Sequence, residues 1–314
     1  MPPKILVITG PTASGKTSLA VELALRHNGE VVSADSMQIY RRMNIGTAKP
    51  DMEERKGIPH HMLDVAEPDE DFSVARYVNM AARCVDDILS RGKLPIVAGG
   101  TGLYIDSLLS GRTFASFNPA SPLRSQLEGR MDTFGGEYML EELRDIDPEA
   151  AERLHPNDEK RIIRALEVWY STGKTITQHN LETQELPPRY DALTLTLTFE
   201  HREDMWDRIN RRVDIMMDMG LVDEVKSLLA EGIPDDCTAM QAIGYKEMVA
   251  ALRGDGDVKA AAEMIKLRSR QYAKRQLTWF KRNQEAKRLQ CPLTPADFES
   301  VCQASTAYLE EFGI

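Results

Sequence analysis

Lys4-Ile-Leu-Val-Ile-Thr-Gly10-Pro-Thr-Ala-Ser-Gly-Lys16-Thr17 opens the chain's first folded segment. Its first six residues form a short, nearly continuous apolar run, the pattern of a strand buried on both faces of a parallel sheet. Next comes G-x-x-x-x-G-K-T: Gly10, Pro11, Thr12, Ala13, Ser14, Gly15, Lys16 and Thr17. Beyond it, Leu19, Ala20, Leu23 and Ala24 recur at helical spacing. A strand before and a helix after mark this glycine loop as a phosphate loop. Glycines let it curl with its N–H groups inward, and the helix N-terminus adds a positive dipole end. Lys16 supplies a point charge for outer phosphate oxygens, and Thr17 a hydroxyl for Mg²⁺. Thr12 and Ser14 can add hydroxyl donors, although Ser14 serves equally as a small residue that leaves room. The loop specifies a di- or triphosphate; a pyrophosphate ester fits as well as ATP.

Outward from the loop, residues 30–34 read as a second strand and 61–65 as a possible third. Residues 74–90 form an amphipathic helix and 94–98 a strong strand. Gly99-Gly100-Thr101-Gly102 then opens a helix that runs to Leu109. Such alternation predicts an α/β fold: a P-loop NTPase-like parallel sheet flanked by helices. Near Arg112 the pattern changes. From Asn118 to about Pro188 the periodicity is helical, punctuated by Pro148, Pro156 and Pro187-Pro188, which predicts an inserted helical domain. Residues 193–199 alternate with period two and return the chain to the sheet. Helices are then expected at 203–218, 220–231, 243–253 and about 258–288. The expected parts are a first core segment (1–112), the helical insertion (113–190), core completion with basic C-terminal helices (191–290) and a C-terminal tail (291–314).

A chain of 314 residues with 42% apolar and 28% charged residues is a soluble globular chain of one large or two modest domains. Cys84, Cys237, Cys291 and Cys302 have no C-x-x-C spacing, which excludes a zinc ribbon and suits a reducing compartment. No apolar run approaches the roughly 18 residues of a membrane helix. The N-terminal run reads as a strand rather than a signal peptide. Cytoplasmic location, no membrane contact and a monomer are the expectations. With a net charge of −10, any nucleic-acid contact must come from a local basic patch. Residues 265–289 supply one: nine Lys and Arg residues against the single acid Glu285. The alternative is a solvated helix face. Trp279 and Phe280 fit core packing better than base stacking.

Asp35 follows the second strand, and in open α/β sheets ligands bind beyond the carboxyl ends of strands. A carboxylate there can hold Mg²⁺ through water, take a proton from a nucleophile, or merely cap the next turn. Gln38 suits an adenine edge or is an ordinary exposed glutamine. The strand 94–98 ends in Gly99-Gly100-Thr101 with no Asp, which argues against an ordinary ATPase. Thr101 either offers a hydroxyl to the cleft or caps the next helix. His60-His61 looks like a metal pair, but neighbouring strand residues point to opposite faces.

Several runs in order resemble the tRNA dimethylallyltransferase (tRNA isopentenyltransferase) family. Beside the phosphate loop they are Ala34-Asp-Ser-Met-Gln-Ile-Tyr40, Asn44-Ile-Gly-Thr-Ala-Lys-Pro50, His60-His61-Met-Leu-Asp64 and Gly99-Gly-Thr-Gly-Leu-Tyr104. His155-Pro-Asn-Asp158 with Arg161-Ile-Ile-Arg-Ala-Leu-Glu167, Gln241-Ala-Ile-Gly-Tyr-Lys246 and Gln271-Tyr-Ala-Lys-Arg-Gln-Leu-Thr-Trp-Phe280 complete the set. The resemblance implies transfer of a dimethylallyl group from its diphosphate to the exocyclic N6 amine of the adenosine directly 3′ of the anticodon, in tRNAs reading codons that begin with U. It also implies residue roles. The phosphate loop would hold the diphosphate, Asp35 would be the general base, Thr101 would contact substrate and Arg212 would grip the diphosphate. Asp35, Ser36, Met37 and Gln38 would meet the target nucleotide, with Arg124 near the flipped base. Lys160, Arg161, Ile162, Ile163 and Arg164, and Gln241, Ala242, Ile243, Gly244, Tyr245 and Lys246, would touch tRNA. Competing readings are a small-molecule P-loop kinase, prenylation of free AMP or ADP, and a non-catalytic RNA-binding nucleotide switch.

Overall fold

The computed structural model describes residues 2–111, 121–184, 186–254 and 256–314. The chain divides into two compact units, Met1–Leu109 with Arg189–Ile314, and Ser110–Pro188. The expected boundary at residues 112 and 113, and Asn118, lie outside the described residues.

The first unit opens with β1 (Lys4–Thr9), α1 (Lys16–Arg26), β2 (Gly29–Ser33), α2 (Met52–Arg55), β3 (His60–His61), α3 (Val74–Ser90), β4 (Leu94–Ala98) and α4 (Gly102–Leu109). The second unit is helical: α5 (Pro122–Ile146), α6 (Pro148–Glu152), α7 (Glu159–Thr172) and α8 (Ile176–Gln184). The first unit resumes with β5 (Asp191–Thr198), α9 (Arg202–Asp218), α10 (Leu221–Ala230), α11 (Tyr245–Arg253), α12 (Val258–Phe280), β6 (Lys287–Gln290) and α13 (Pro295–Phe312). Its strands lie in the order β3-β2-β4-β1-β5-β6, and every pair is parallel. The architecture is the P-loop-type α/β sheet that the alternation predicts.

Parallel strands bury both faces, which is why β1 and β4 carry almost no polar residue. On one face Leu6 and Ile8 pack with Leu19 and Leu23 of α1 and with Val301, Cys302 and Leu309 of α13. Each such side chain contributes roughly 1.5–3 kcal/mol by burial. On the other face Tyr77 of α3 stacks on Tyr104 of α4 at 4.0 Å, and its hydroxyl donates to the Ser33 carbonyl at 3.0 Å. A separate core joins α9, α10, α11 and α12 to Ile39, Tyr40 and Met43.

Three expectations are corrected. The helix expected to run to residue 288 ends at Phe280. Asn283 Oδ1 accepts the N–H groups of Glu285 and Ala286 at 3.0 and 3.2 Å, and this side-chain turn stops the helix without Gly or Pro. Lys287 and Arg288 then stand in β6, a strand too short and polar to announce itself; the open edge of β5 supplies its pairing. The expected C-terminal tail, 291–314, carries α13, begun by a Thr294–Asp297 capping box and packed into the sheet core. The possible strand 61–65 is only His60–His61; Met62 and Asp64 have φ of 65° and 55°, which takes the chain out of the sheet.

In the second unit, Leu127, Met131, Leu140 and Leu143 of α5 pack on Ile162, Ile163 and Leu166 of α7. α5 is kinked at Gly135, whose φ is 79°. Asp147 caps α6 and accepts from Thr177 N and Oγ1 at 3.0 and 2.8 Å, tying α8 to the bundle.

Candidate active site

Loops from the carboxyl ends of three neighbouring strands converge. The phosphate loop follows β1, Gly99-Gly100 follows β4, and Asp35 follows β2. Because β4 lies between them, β1 and β2, which lead into the phosphate loop and Asp35, stand two strand spacings apart, about 10 Å. The middle strand must end without bulk. A Cβ on Gly99 would meet the Ala34 carbonyl oxygen at 2.2 Å, and one on Gly100 would meet Gln276 Nε2 at 2.2 Å. The result is a cavity of about 710 Å³. Its wall includes Thr12, Ala13, Ser14, Gly15, Lys16, Thr17, Asp35 and Gln38, with residues 47–51 and Arg208, Arg211 and Arg212 from α9. Five basic and three acidic side chains line it, the balance an anionic ligand needs.

The phosphate-loop end of the cavity is built as the motif implies. Ala13 adopts φ 62° and Gly15 φ 85°, which curls the loop; a non-glycine residue there is strained, as is common at functional sites. Lys16 Nζ donates to the Pro11 carbonyl at 2.6 Å and lies 3.5 Å from Ser14 Oγ. Burial, reinforced by the neighbouring Arg212 cation, lowers its pKa to about 8, while Asp35 opposes the shift. Arg212 Nη1 lies 3.5 Å from Thr12 Oγ1. Burial lowers its pKa too, against the attraction of Asp35. Thr17, the second residue of α1, lines the cavity.

At the other end, Asp35 has two tasks. Its Oδ1 accepts the Met37 N–H at 2.9 Å, the turn-capping role, while the residue also lines the cavity. Thr101 is outside the cavity wall. Its Oγ1 accepts the Ser36 N–H at 3.0 Å and lies 3.3 Å from Ser36 Oγ, so it holds the Asp35 segment. Gln38 lines the cavity, but its Nε2 donates to the Thr47 and Ala48 carbonyls at 3.2 and 3.1 Å. Ser36 and Met37 are not among the residues that line the cavity. His61 Nε2 pairs with Glu30 at 2.8 Å and His60 Nδ1 with the Ile58 carbonyl at 2.9 Å.

Gln276 and Tyr272 of α12 also line this cavity, and sequence reasoning assigned them no role. Both lie in the quoted run Gln271 to Phe280, which was the available signal. Burial beside Asp35 raises the Tyr272 phenol to about 12. Trp279 packs over Gly102, and its Nε1 donates to Asp106 Oδ2 at 2.8 Å; Phe280 is buried. Both aromatics therefore pack, as their spacing suggests.

The implied tRNA-contacting runs separate into exposed and buried members. In the second unit Lys160 and Arg161 are exposed, whereas Ile162 and Ile163 belong to its core and cannot meet a ligand directly. Arg164 and Arg124 share the buried Glu167, at 2.7 and 3.5 Å. In the first unit Gln241 and Lys246 are exposed and Ile243 half-buried, but Ala242, Gly244 and Tyr245 are buried. A helix or tight turn shows only part of any contiguous run to solvent, so the block assignments are corrected for the buried members.

A phosphate loop facing a carboxylate across one cavity, at the strand ends of a parallel sheet, defines a P-loop-type protein that acts on a phosphorylated ligand. Comparison with known proteins narrows the class. Residues 38–283 match the IPP transferase family. The chain is 48% identical to the tRNA dimethylallyltransferase of Acetivibrio thermocellus over 99% of this chain and 98% of that protein. It resembles the crystal structure of tRNA delta(2)-isopentenylpyrophosphate transferase from Staphylococcus epidermidis, with a TM-score of 0.72 and 40% identity over 99% of this chain and 100% of that one. A eukaryotic dimethylallyltransferase solved acting on tRNA gives a TM-score of 0.84 at 30% identity over 98% of this chain and 80% of that one. The chain belongs to the IPP transferase family, whose members named here are tRNA dimethylallyltransferases.

Proposed function

We propose that the chain transfers the dimethylallyl group of dimethylallyl diphosphate to the exocyclic N6 amine of the adenosine directly 3′ of the anticodon in tRNA, releasing diphosphate. The observation that carries this reading is the single cavity with a phosphate loop at one wall and Asp35 at the other. An exocyclic adenine amine is a weak nucleophile because its lone pair is delocalised into the ring. Asp35 would accept its proton as the N–C bond forms. The C–O bond to diphosphate breaks, and Lys16, the loop N–H groups and Arg212 would stabilise the charge that gathers on the leaving group. A target base stacked in the anticodon loop would have to be flipped into the cavity.

Among the described residues no cluster of three or more His, Cys, Asp or Glu could hold a metal ion. Mg²⁺ bound through diphosphate oxygens needs no such cluster, and the Thr17 hydroxyl in the cavity wall suits it. When bound, the ion would neutralise charge on the diphosphate. Lys160, Arg161, Gln241 and Lys246 are the members of the implied tRNA runs with exposure to support contact. Among the described residues no helix is long and apolar enough to cross a membrane. A monomer in the cytoplasm, where tRNA is modified, completes the proposal.

Labelled dimethylallyl diphosphate offered with unmodified tRNA, with AMP and with ADP is the deciding assay. Label on tRNA adenosine supports the proposal. Label only on AMP or ADP, or phosphate transfer from ATP, would replace it.

A further inference from the structure

Glu224 on α10 reaches a loop far away in sequence. Its Oε2 accepts the backbone N–H groups of Asn44 at 2.9 Å and Ile45 at 2.8 Å. Its Oε1 accepts those of Ile45 and Gly46, each at 3.1 Å, and the Tyr245 hydroxyl at 2.6 Å. Three successive N–H groups make a concavity that suits an anion, and bonds to a carboxylate are the stronger kind. Tyr245 is fully buried, and its ring lies so close to Gly46 that a Cβ there would meet it at 2.5 Å. Carboxylate and ring thus hold the same piece of backbone.

That backbone leads directly into the cavity wall. Ile45, Thr47 and Ala48 line it, and the Thr47 and Ala48 carbonyls take the Gln38 amide donors. Gln38 is three residues from Asp35 and shares its wall. Among the described residues no hydrogen bond joins residues 44–48 to the phosphate loop 10–17. The anchored loop therefore supports the Asp35–Gln38 side of the cavity and not the diphosphate side.

We propose that Glu224, with Tyr245, is a positioning residue for the nucleoside half of the reaction. It fixes the height of the 44–48 loop, which in turn fixes Gln38 beside Asp35. The proposal rests on the prenyl-transfer reading above. It also gives Tyr245 a role that its burial allows, in place of direct tRNA contact.

Glu224→Gln turns one acceptor oxygen into an amide donor facing N–H groups. Tyr245→Phe removes one hydroxyl and keeps the ring on Gly46. Steady-state kinetics with tRNA, calorimetric binding of dimethylallyl diphosphate and melting temperature would be measured for both variants and for Glu224→Asp. Displacing a catalytic wall by about 1 Å can cost roughly 100-fold. Glu224→Gln should therefore lose about 10- to 100-fold in kcat/KM for tRNA, with diphosphate binding within about twofold. Tyr245→Phe should lose roughly 3- to 10-fold in the same parameter, and Glu224→Asp, which keeps both acceptor oxygens, should recover part of the loss. Wild-type kcat/KM for tRNA in a folded Glu224→Gln, or diphosphate binding weakened as much as tRNA turnover, overturns the proposal. If Glu224→Gln does not fold, Tyr245→Phe decides, and wild-type behaviour there overturns it too. Failure of the wild-type chain to prenylate tRNA is a separate result that sinks the functional reading itself.

Discussion

Gln276 Oε1 accepts the backbone N–H of Thr12 at 2.9 Å, so a helix residue from near the end of the chain holds the phosphate loop near its beginning. The same amide donates through Nε2 to the Gly100 carbonyl at 2.9 Å. One buried side chain therefore ties the loop after β1 to the loop after β4, and both line the cavity. Gln276→Leu would leave a backbone donor and a backbone acceptor without partners, at roughly 1–3 kcal/mol each if both stay buried. A lower melting temperature and a KM for dimethylallyl diphosphate raised roughly 10-fold are expected. Unchanged kinetics in the variant would mean the phosphate loop keeps its shape without the clamp.

Asp35→Asn keeps the shape of the side chain and the bond from the Met37 N–H while removing the base. Turnover should fall about 10²- to 10⁴-fold with tRNA binding largely retained. Near-normal turnover in the purified variant would take Asp35 out of the mechanism.

Lys16 titrates within reach of ordinary assays because burial and Arg212 bring its pKa to about 8. Below that pH the ammonium is charged and attracts diphosphate; above it, the free site loses one positive charge. A bound anion favours the charged form, so affinity for dimethylallyl diphosphate should be highest below pH 8 and fall as pH rises through 8 toward 10. Lys16→Ala should bind the diphosphate weakly and turn over slowly, and it should lack this part of the pH dependence. Binding that is flat across the range in the wild type would place the titration elsewhere. If only the tRNA parameter moved in Lys16→Ala, the loop would be binding RNA phosphate.

The basic stretch is divided among a helix, a turn and a strand, and its cations are not equivalent. Lys266 is paired with Asp214 and Glu263. Among the described residues no ion pair engages Lys274, Arg275, Lys281 or Arg282; Arg275 and Arg282 lie over Tyr272 and Trp279. Reversing these four charges should lower tRNA affinity and flatten its salt dependence. Each lost phosphate contact removes roughly 0.7–0.9 from the slope of log affinity against log salt, so two to four lost contacts should remove about 1.4 to 3.6 units. Dimethylallyl diphosphate binding should barely change. An unchanged slope in the folded variant would assign these residues to scaffolding.

Local signals were enough for much of the sheet and for the phosphate-loop end of the site. The strands 4–9 and 94–98 and the helix 74–90 stand where period and composition place them, because each is short, strongly patterned and bounded by turn residues. The phosphate loop was legible for the same reason: its motif is carried by eight consecutive residues. β6 and the ends of the possible third strand were not, since both depend on pairing with strands distant in sequence.

By itself the sequence determined the α/β class, the phosphate loop and the carboxylate just past the second strand, all set by contiguous residues whose backbone preferences and apolar period act within a few turns of chain. Only the tertiary structure decided which members of the implied tRNA runs face solvent. Only it showed that Thr101 holds the backbone of Ser36 next to Asp35, that Gln276 clamps Thr12 to Gly100, and that Glu224 carries the loop at Asn44. Each of those bonds joins residues from 65 to 264 positions apart. No local preference encodes such a distance: it is closed by burial of the sheet and helix cores, and the polar groups then take the partners that packing has brought within reach.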